Sequence, residues 1–244
     1  VATFKGALHR FEISQKLTDQ LYALAKKEGV TLYMPLMASF LALLHRYTGQ
    51  DDLVIGTPMA CRADTELENS IGNLVNPACV RVSLASSPTV SQFIKSVRSQ
   101  VLNVFQHQAY PFSILVDRLQ NNRDPSRNPL FQILFSLNQK FNLAGGNNES
   151  ALLLKPLPDV DQATSPFDLQ LIMNEIDGDG KTKMLTAQLQ YNVSLFMPAT
   201  MERMAGHLLT LWQSMVDDSS QKIWQLSLLT EQELRQLVSE VNRA

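Results

Sequence analysis

The residue most suited to acid–base chemistry is a histidine in an aromatic, proline-containing turn. The segment reads His107-Gln-Ala-Tyr-Pro-Phe112, and its candidate site residues are His107, Gln108, Pro111 and Phe112. A histidine acts as a general base when its imidazole is unprotonated, lies beside a nucleophile and is oriented by an acid. The nearby sequence supplies no such acid. It therefore favours a histidine that ends a helix and interacts with the free carbonyl groups there.

A second segment places polar and conformationally special residues where core sequence is expected. It reads Ile71-Gly-Asn-Leu-Val-Asn-Pro77 and contributes the candidates Gly72, Asn73, Asn76 and Pro77, with Arg81 following in the chain. Glycine adopts positive φ, and asparagine hydrogen-bonds within its own turn. On these residues alone, we interpret the segment as a buried turn that enters a strand.

A third segment concentrates charge between two prolines. It reads Arg123-Asp-Pro-Ser-Arg-Asn-Pro-Leu130, and its candidates are Arg123, Asp124, Arg127, Asn128 and Pro129. A guanidinium in such a loop is suited to bind a phosphate or a carboxylate. The alternative, which we favour, is that aspartate and arginine pair with each other and with the backbone and so fix the loop.

Several classes of site are disfavoured by what the rest of the sequence contains. His9, His45 and His207 lie on separate elements without metal-ligand spacing, and Cys61 and Cys79 belong to no metal-binding grouping. Phosphate-binding glycine loops, the Gly-x-Ser-x-Gly nucleophile motif and His-Glu-x-x-His are absent. We expect no metal and no directly bound cofactor.

Composition and charge limit the cellular setting. The net charge is −2, so electrostatically driven binding to nucleic acid is not expected. The longest apolar stretch, residues 36–44, is about half the roughly 20 residues of a membrane span, and the cysteine usage is typical of a reducing cytoplasm. The N-terminus has neither a signal-peptide pattern nor an initiator methionine, so we expect a piece of a longer chain.

The elements that must position these segments are helices and strands in mixed order. Capping residues and apolar stripes predict helices that start after Ser14, near Thr31, after Thr89, after Pro111, at Pro198 and after Thr230. Apolar or alternating runs predict strands ending at residue 13 and at residues 53–55, 78–84, 130–137, 152–154, 167–176 and 184–191. The pattern indicates an α/β (α+β) two-layer sandwich with a mixed, largely antiparallel sheet flanked by helices.

Taken in order, the three segments resemble the C-terminal half of condensation domains of nonribosomal peptide synthetases. Residues 71–81 are similar to the family's hydrophobic-Gly-x-Phe-Val-Asn-Thr run ending in Arg. Residues 107–113 resemble His-Gln-Asp-x-Pro-Phe-Glu, and residues 123–130 resemble Arg-Asp-x-Ser-Arg-Asn-Pro-Leu. Further likeness covers nearly the whole chain, at residues 56–62, 166–169, 191–196 and 226–230. Leu74, Pro77, Ala109 and Ser113 depart from the family pattern.

The resemblance implies one lobe of a two-lobed enzyme with a chloramphenicol acetyltransferase-like fold. The family's catalytic motif, His-His-x-x-x-Asp-Gly, belongs to its N-terminal half and is absent from this chain. The lobes of the family enclose a tunnel, and carrier proteins bring substrates to it on phosphopantetheine arms. The implied partners are the N-terminal lobe, donor and acceptor carrier proteins and an adjacent adenylation domain. Residues 1–226 would form the lobe and residues 227–244 a linker helix toward the adenylation domain.

The resemblance also assigns roles to individual positions. Gly72, Asn73, Asn76 and Pro77 would lie at the tunnel wall or lobe interface, and Ser165, Phe167 and Asp168 at a floor segment that crosses toward the other lobe. The hairpin at residues 177–180 is the candidate latch. Arg62, Arg81, Arg123 and Arg127 would anchor loops and the lobe interface. Three alternatives stay open: a carrier-protein docking module, an epimerising or cyclising relative, and an autonomous acyltransferase or hydrolase that uses His107.

Overall fold

The structure, a computed structural model, describes most of the chain. The described residues are 3–62, 65–68, 70–119, 124, 126–140, 163–177 and 183–241. The predicted strand at residues 152–154 and the turn residues 178–180 of the predicted latch lie outside these ranges.

Strands and helices alternate irregularly along the described residues. The strands are β1 (Gly6–Glu12), β2 (Asp52–Met59), β3 (Asn76–Ser83), β4 (Ile133–Lys140), β5 (Leu169–Asp177) and β6 (Lys183–Asn192). The helices are α1 (Gln15–Glu28), α2 (Tyr33–Thr48), α3 (Thr65–Glu68), α4 (Val90–Gln106), α5 (Phe112–Leu119), α6 (Pro198–Asp217) and α7 (Glu231–Val241).

The strands form a six-stranded sheet in the order β1-β6-β5-β4-β2-β3. The β1–β6, β5–β6 and β2–β3 pairs are antiparallel, whereas β4 pairs in parallel with both β5 and β2. Gly56 lies opposite Leu134 where β2 meets β4. Helices α1, α2, α4 and α6 pack against one another and against the sheet. The predicted mixed α/β architecture, with a largely antiparallel sheet flanked by helices, is confirmed.

Helix ends lie where the capping residues predict them. The Ser14 hydroxyl accepts a hydrogen bond from Leu17 N at the start of α1, and Gly29 ends this helix with a φ of 66°. A capping box formed by Thr89 and Gln92 opens α4. Pro198 is the first residue of α6.

Helix α2 is buried all round and not only along the predicted stripe. Residues 34–44 are all buried because α1, α4 and α6 each pack against this helix. Its buried hydroxyl is satisfied, since Ser39 donates to Leu36 O and accepts from Trp212 Nε1 at 2.6 Å. No single described helix has the length and hydropathy of a membrane span; α1 and α2 pass that test only as a pair, bent by 104°.

The apolar stripes of α2 and α4 predict that Tyr47 and Phe105 face the core, but both residues are exposed. Tyr47 is 41% exposed near the end of α2, where it lies against His207. Phe105 is 55% exposed in the last turn of α4. At about 100° per residue, Phe105 lies about 120° round the helix from Phe93, at the edge of the buried stripe.

Three strands begin two or three residues away from their predicted starts. β3 starts at Asn76 and not at residue 78, and it tolerates Pro77 because it is an edge strand. β4 starts at Ile133 and not at residue 130, because Leu130 has a φ of 64° that interrupts extended structure. β5 starts at Leu169 and not at residue 167, since the preceding residues form a hydrogen-bonded loop.

The C-terminal helix α7 is attached to α6 and α2 through a polar chain. His207 Nε2 lies 2.9 Å from Glu233 Oε1, and its Nδ1 lies 2.7 Å from the Tyr47 hydroxyl. Glu233 also accepts hydrogen bonds from the backbone and hydroxyl of Thr230, which complete the predicted cap of α7. His207 is 7% exposed and therefore has a structural role in the core.

Candidate functional site

Asn76 joins two of the three segments singled out in the sequence. Its Nδ2 donates to the carbonyl oxygens of Gln108 and Tyr110 at 2.9 and 2.8 Å, and its Oδ1 accepts from Phe112 N at 3.0 Å. Both amide hydrogens and the amide oxygen are engaged. Asn76 therefore clamps the turn at residues 107–112, here named the histidine turn, to the start of β3.

His107 ends α4 and serves as its C-terminal cap. Its Nδ1 lies 2.8 Å from Asn103 O, one turn earlier in the helix, and its side chain is exposed. No acidic side chain of the described residues forms an ion pair with its ring. This geometry is that of the helix-ending histidine favoured above and lacks the orienting acid of a catalytic base.

The histidine turn and the start of β3 enclose an apolar groove of about 320 Å³. The residues lining this apolar groove include Pro77, Cys79, His107, Gln108, Tyr110 and Phe112. Burial raises the pKa of Cys79 to about 11. The thiolate form is therefore scarce at neutral pH, and Cys79 is a poor nucleophile. Cys61 donates to Gln108 O at 3.1 Å and so adds a second tie to the histidine turn.

The third segment, here named the arginine loop (residues 123–130), is fixed by its own charges. Arg127 Nε lies 3.1 Å from Asp124 Oδ2. Hydrogen bonds from the side chain and backbone of Ser126 hold the pKa of Asp124 below its usual value, and Arg127 adds to this effect. Asp124 and Arg127 thus pair as the structural interpretation of this loop requires. Arg123 lies outside the described residues.

The arginine loop is tied to residues 163–167, here named the floor loop. Asn128 Nδ2 donates to Pro166 O at 2.6 Å, and Ser165 Oγ donates to Phe167 O at 2.6 Å. Pro129 O accepts from Phe131 N at 2.8 Å at the end of the arginine loop. These bonds leave the two loops side by side.

A polar cleft of about 450 Å³ opens between the arginine loop and the floor loop. Among the residues that line this polar cleft are Arg127, Asn128, Ser165, Phe167 and Asp168. Partial burial raises the pKa of Asp168, and the neighbouring Arg127 opposes that shift. The cleft therefore presents hydrogen-bonding groups and both signs of charge.

Arg62 and Asn73 fix the chain before β3. The Arg62 guanidinium donates to the carbonyl oxygens of Leu67, Ser70 and Gly72 at 2.5, 2.9 and 3.1 Å. Asn73 Oδ1 accepts from Val75 N at 3.2 Å. Gly72 and Asn73 thus lie in a hydrogen-bonded loop that is exposed, so the predicted buried turn is wrong here. Neither residue lines the polar cleft or the apolar groove.

Arg81 stands apart from the other candidates. It forms a two-pronged ion pair with Asp52 on the exposed β2–β3 surface, with Nη2 to Oδ2 at 2.6 Å. The ion pair lines neither the polar cleft nor the apolar groove.

Phe131 and Gly56 were not singled out as site residues from the sequence, yet the Phe131 ring connects the histidine turn to the floor loop. The ring centroid of Phe131 lies 5.5 Å from that of Phe112 and 5.6 Å from that of Phe167. Gly56 provides the space in which the Phe131 ring lies. No local sequence pattern predicts ring contacts between residues so distant in sequence. Gly56, by contrast, is the first residue of the segment 56–62, which resembles the family sequence.

The sequence and fold of this chain match one family throughout. The family model for the condensation domain matches residues 1–238. The chain is 36% identical over 246 aligned residues to tyrocidine synthase 3 of Brevibacillus parabrevis, covering 99% of this chain and 4% of that protein. It is 35% identical over 242 residues to gramicidin S synthase 2 of Brevibacillus brevis, covering 98% of this chain and 5% of that protein. The chain thus spans only a small part of the length of these relatives.

Solved structures share the fold. The four-domain nonribosomal peptide synthetase holo-AB3403, bound to AMP and glycine, superposes with a TM-score of 0.84 at 28% identity, over 96% of this chain and 18% of that one. The X-domain from teicoplanin biosynthesis superposes with a TM-score of 0.82 at 23% identity, over 94% of this chain and 51% of that one.

Proposed function

The chain belongs to the condensation-domain family, and from that premise we propose that it is the C-terminal lobe of a nonribosomal peptide synthetase condensation domain. The domain would join a carrier-bound acyl thioester to a carrier-bound amine. The absence of His-His-x-x-x-Asp-Gly from the sequence supports a lobe without the catalytic histidine. The chain also spans about half of the solved X-domain that it resembles, which agrees with one lobe of two.

The proposed reaction is an aminolysis of a thioester. The acceptor nitrogen attacks the donor carbonyl carbon, and the carbonyl oxygen becomes an oxyanion in the tetrahedral intermediate. The carbon–sulfur bond then breaks, the donor thiol takes up the proton lost by the amine, and the lengthened chain remains on the acceptor arm. Such a step requires aligned reactants and the exclusion of water. This lobe would supply a wall against which the two arms align.

The observation that carries the proposal is the clamp formed by Asn76. One side chain holds the start of β3, and with it Pro77, against the histidine turn. Asn76 and Pro77 would thus present a rigid tunnel wall. Ser165, Phe167 and Asp168 would form the tunnel floor, because the hydrogen bond from Asn128 to Pro166 O holds the floor loop in place.

The remaining candidates would have structural roles in this enzyme. Arg62 and Arg127 bind carbonyl groups and a carboxylate of their own loops, which supports their assignment as loop anchors. We extend that assignment to Arg81 and Arg123, and we keep the hairpin after residue 177 as the candidate latch. The lobe would comprise residues 1–226 and the linker toward an adenylation domain residues 227–244. Carrier proteins would dock at this lobe and its partner lobe.

The test is the formation of amide product on the acceptor carrier protein, followed by intact mass. Loaded donor and acceptor carriers are incubated with this chain alone, with the upstream lobe alone, and with both. We expect product only when both lobes are present. Product from this chain alone would overturn the proposal and direct attention to His107 as a catalytic base. No product with both lobes, together with carrier binding by this chain, would favour a docking module.

A further inference from the structure

We propose that Phe131 is a positioning residue that holds the tunnel wall and the tunnel floor at a fixed distance and orientation. We also propose that position 56 requires a glycine because any side chain there would collide with the Phe131 ring. This inference rests on the proposed function. It goes beyond it by assigning a role to two residues that line neither the polar cleft nor the apolar groove.

The Phe131 ring connects one lining residue of the apolar groove to one lining residue of the polar cleft. Phe131 is 3% exposed, and its ring contacts the rings of both Phe112 and Phe167. Phe112 lines the apolar groove, whereas Phe167 lines the polar cleft. The three rings therefore form a continuous aromatic contact, here named the ring stack, in which the Phe131 and Phe167 rings are stacked and the Phe112 ring is tilted by 55°. Aromatic pairs at such separations attract each other beyond the effect of burial.

The backbone forces this ring into one place. A Cβ at position 56 would meet Phe131 Cε2 at 2.0 Å, and two further ring carbons lie at 2.4 Å. The ring thus lies on the bare backbone of β2, where a side chain is excluded. The chain just before Phe131 is also constrained, because Leu130 has a φ of 64° and Phe131 N donates to Pro129 O. This tight bend fixes the position of Phe131 at the end of the arginine loop.

Each outer ring belongs to a residue whose backbone is hydrogen-bonded within the proposed tunnel wall or tunnel floor. Phe112 N donates to Asn76 Oδ1, the amide that holds the tunnel wall. Phe167 O accepts from Ser165 Oγ in the floor loop. A shift of the central ring would therefore move the wall and the floor together. Because a misplacement of about 1 Å between reacting groups costs about a hundredfold in rate, the ring stack controls turnover without touching substrate.

The principal test is Phe131→Leu in the intact synthetase module that contains this chain, assayed for amide product with loaded donor and acceptor carriers. We expect kcat to fall at least about tenfold while KM for both carrier proteins stays within about twofold, because the docking surfaces are unchanged. The matched control is Phe135→Leu. Phe135 is also fully buried and lies on β4, but its ring contacts Tyr33 and Phe40 in the core. It should lower the melting temperature comparably and leave the kcat of the folded enzyme unchanged.

A second pair of variants separates the effect of the aromatic contacts on turnover from the effect of steric fit at Gly56 on stability. Gly56→Ala should destabilise the module because its Cβ collides with the ring. Gly56→Ala/Phe131→Leu should regain part of the lost melting temperature but not the lost kcat, since the ring stack stays broken. If the double variant recovers turnover, or if Phe131→Leu retains the wild-type kcat, the positioning role is wrong. A wild-type module that forms no amide would instead refute the proposed function itself.

Discussion

At the scale of single residues, Asn76 shows how one side chain determines the shape of a loop that is distant in sequence. It bonds to three backbone groups within residues 108–112. Asn76→Ala leaves those groups without their partners, so we expect the free energy of unfolding to fall by about 1–3 kcal/mol. We expect the condensation turnover of the intact domain to fall by more than this loss of stability explains. Thermal unfolding and single-turnover product formation measure the two effects.

The control for Asn76 is an asparagine that hydrogen-bonds elsewhere in the sheet. Asn138 Nδ2 donates to Asn174 Oδ1 at 3.3 Å across the β4–β5 pair, and neither residue lines the polar cleft or the apolar groove. Asn138→Ala should therefore reduce stability without reducing the turnover of folded enzyme. An Asn76→Ala variant that keeps wild-type turnover would remove Asn76 from the tunnel wall.

At the scale of elements, the attachment of α7 depends on the charge of Glu233. Burial disfavours that charge, but hydrogen bonds from Thr230 and His207 outweigh burial and hold the pKa of Glu233 below its ordinary value. A depressed pKa in the folded state means that the stabilisation is complete above the ordinary pKa of a glutamate and is lost as pH falls through the folded value. We expect amide-exchange protection of α7 to fall progressively as the pH drops below the ordinary pKa of a glutamate, about 4.3.

The same helix provides the control for this pH dependence. Glu233→Gln removes the titrating group, so the protection of α7 should be weaker at neutral pH and should change little on acidification. Glu231 pairs with Arg235 on the exposed side of α7. Glu231→Gln should therefore keep the wild-type pH profile. Equal acid sensitivity in wild type and Glu233→Gln would show that Glu233 does not attach the helix.

The elements also show which parts of this fold are predictable from the sequence. Helices α1, α4 and α6 are predictable from local signals, since caps and apolar periodicity act within a few residues. The burial of α2 on all sides and the start of β4 after Leu130 depend on tertiary neighbours and backbone conformation, which no short window contains. For the same reason the three segments are visible as motifs, whereas the ring stack that joins them through Phe131 is not.

At the scale of the whole molecule, one group of exposed apolar side chains lies on and around the residues that Asn76 clamps together, which we assign to the wall facing the other lobe. Large apolar residues at least 39% exposed occur in residues 71–75 and 102–119, and they are Ile71, Val75, Leu102, Phe105, Tyr110, Ile114 and Leu119. The Asn76 clamp holds the histidine turn against the residues that follow 71–75. Apolar surface of this kind promotes association in water. We therefore expect the isolated chain to form concentration-dependent oligomers.

Sedimentation velocity over a wide range of concentrations measures this association. Phe105→Glu should shift the distribution toward monomer, because it places a charge within the exposed apolar segments. Trp224→Glu is the matched control, since Trp224 is also an exposed aromatic residue but lies outside residues 71–75 and 102–119. It should leave the distribution unchanged. Addition of the upstream lobe should replace the oligomers by a one-to-one complex, because that lobe would cover the same surface. A chain that stays monomeric at high concentration would count against a missing lobe.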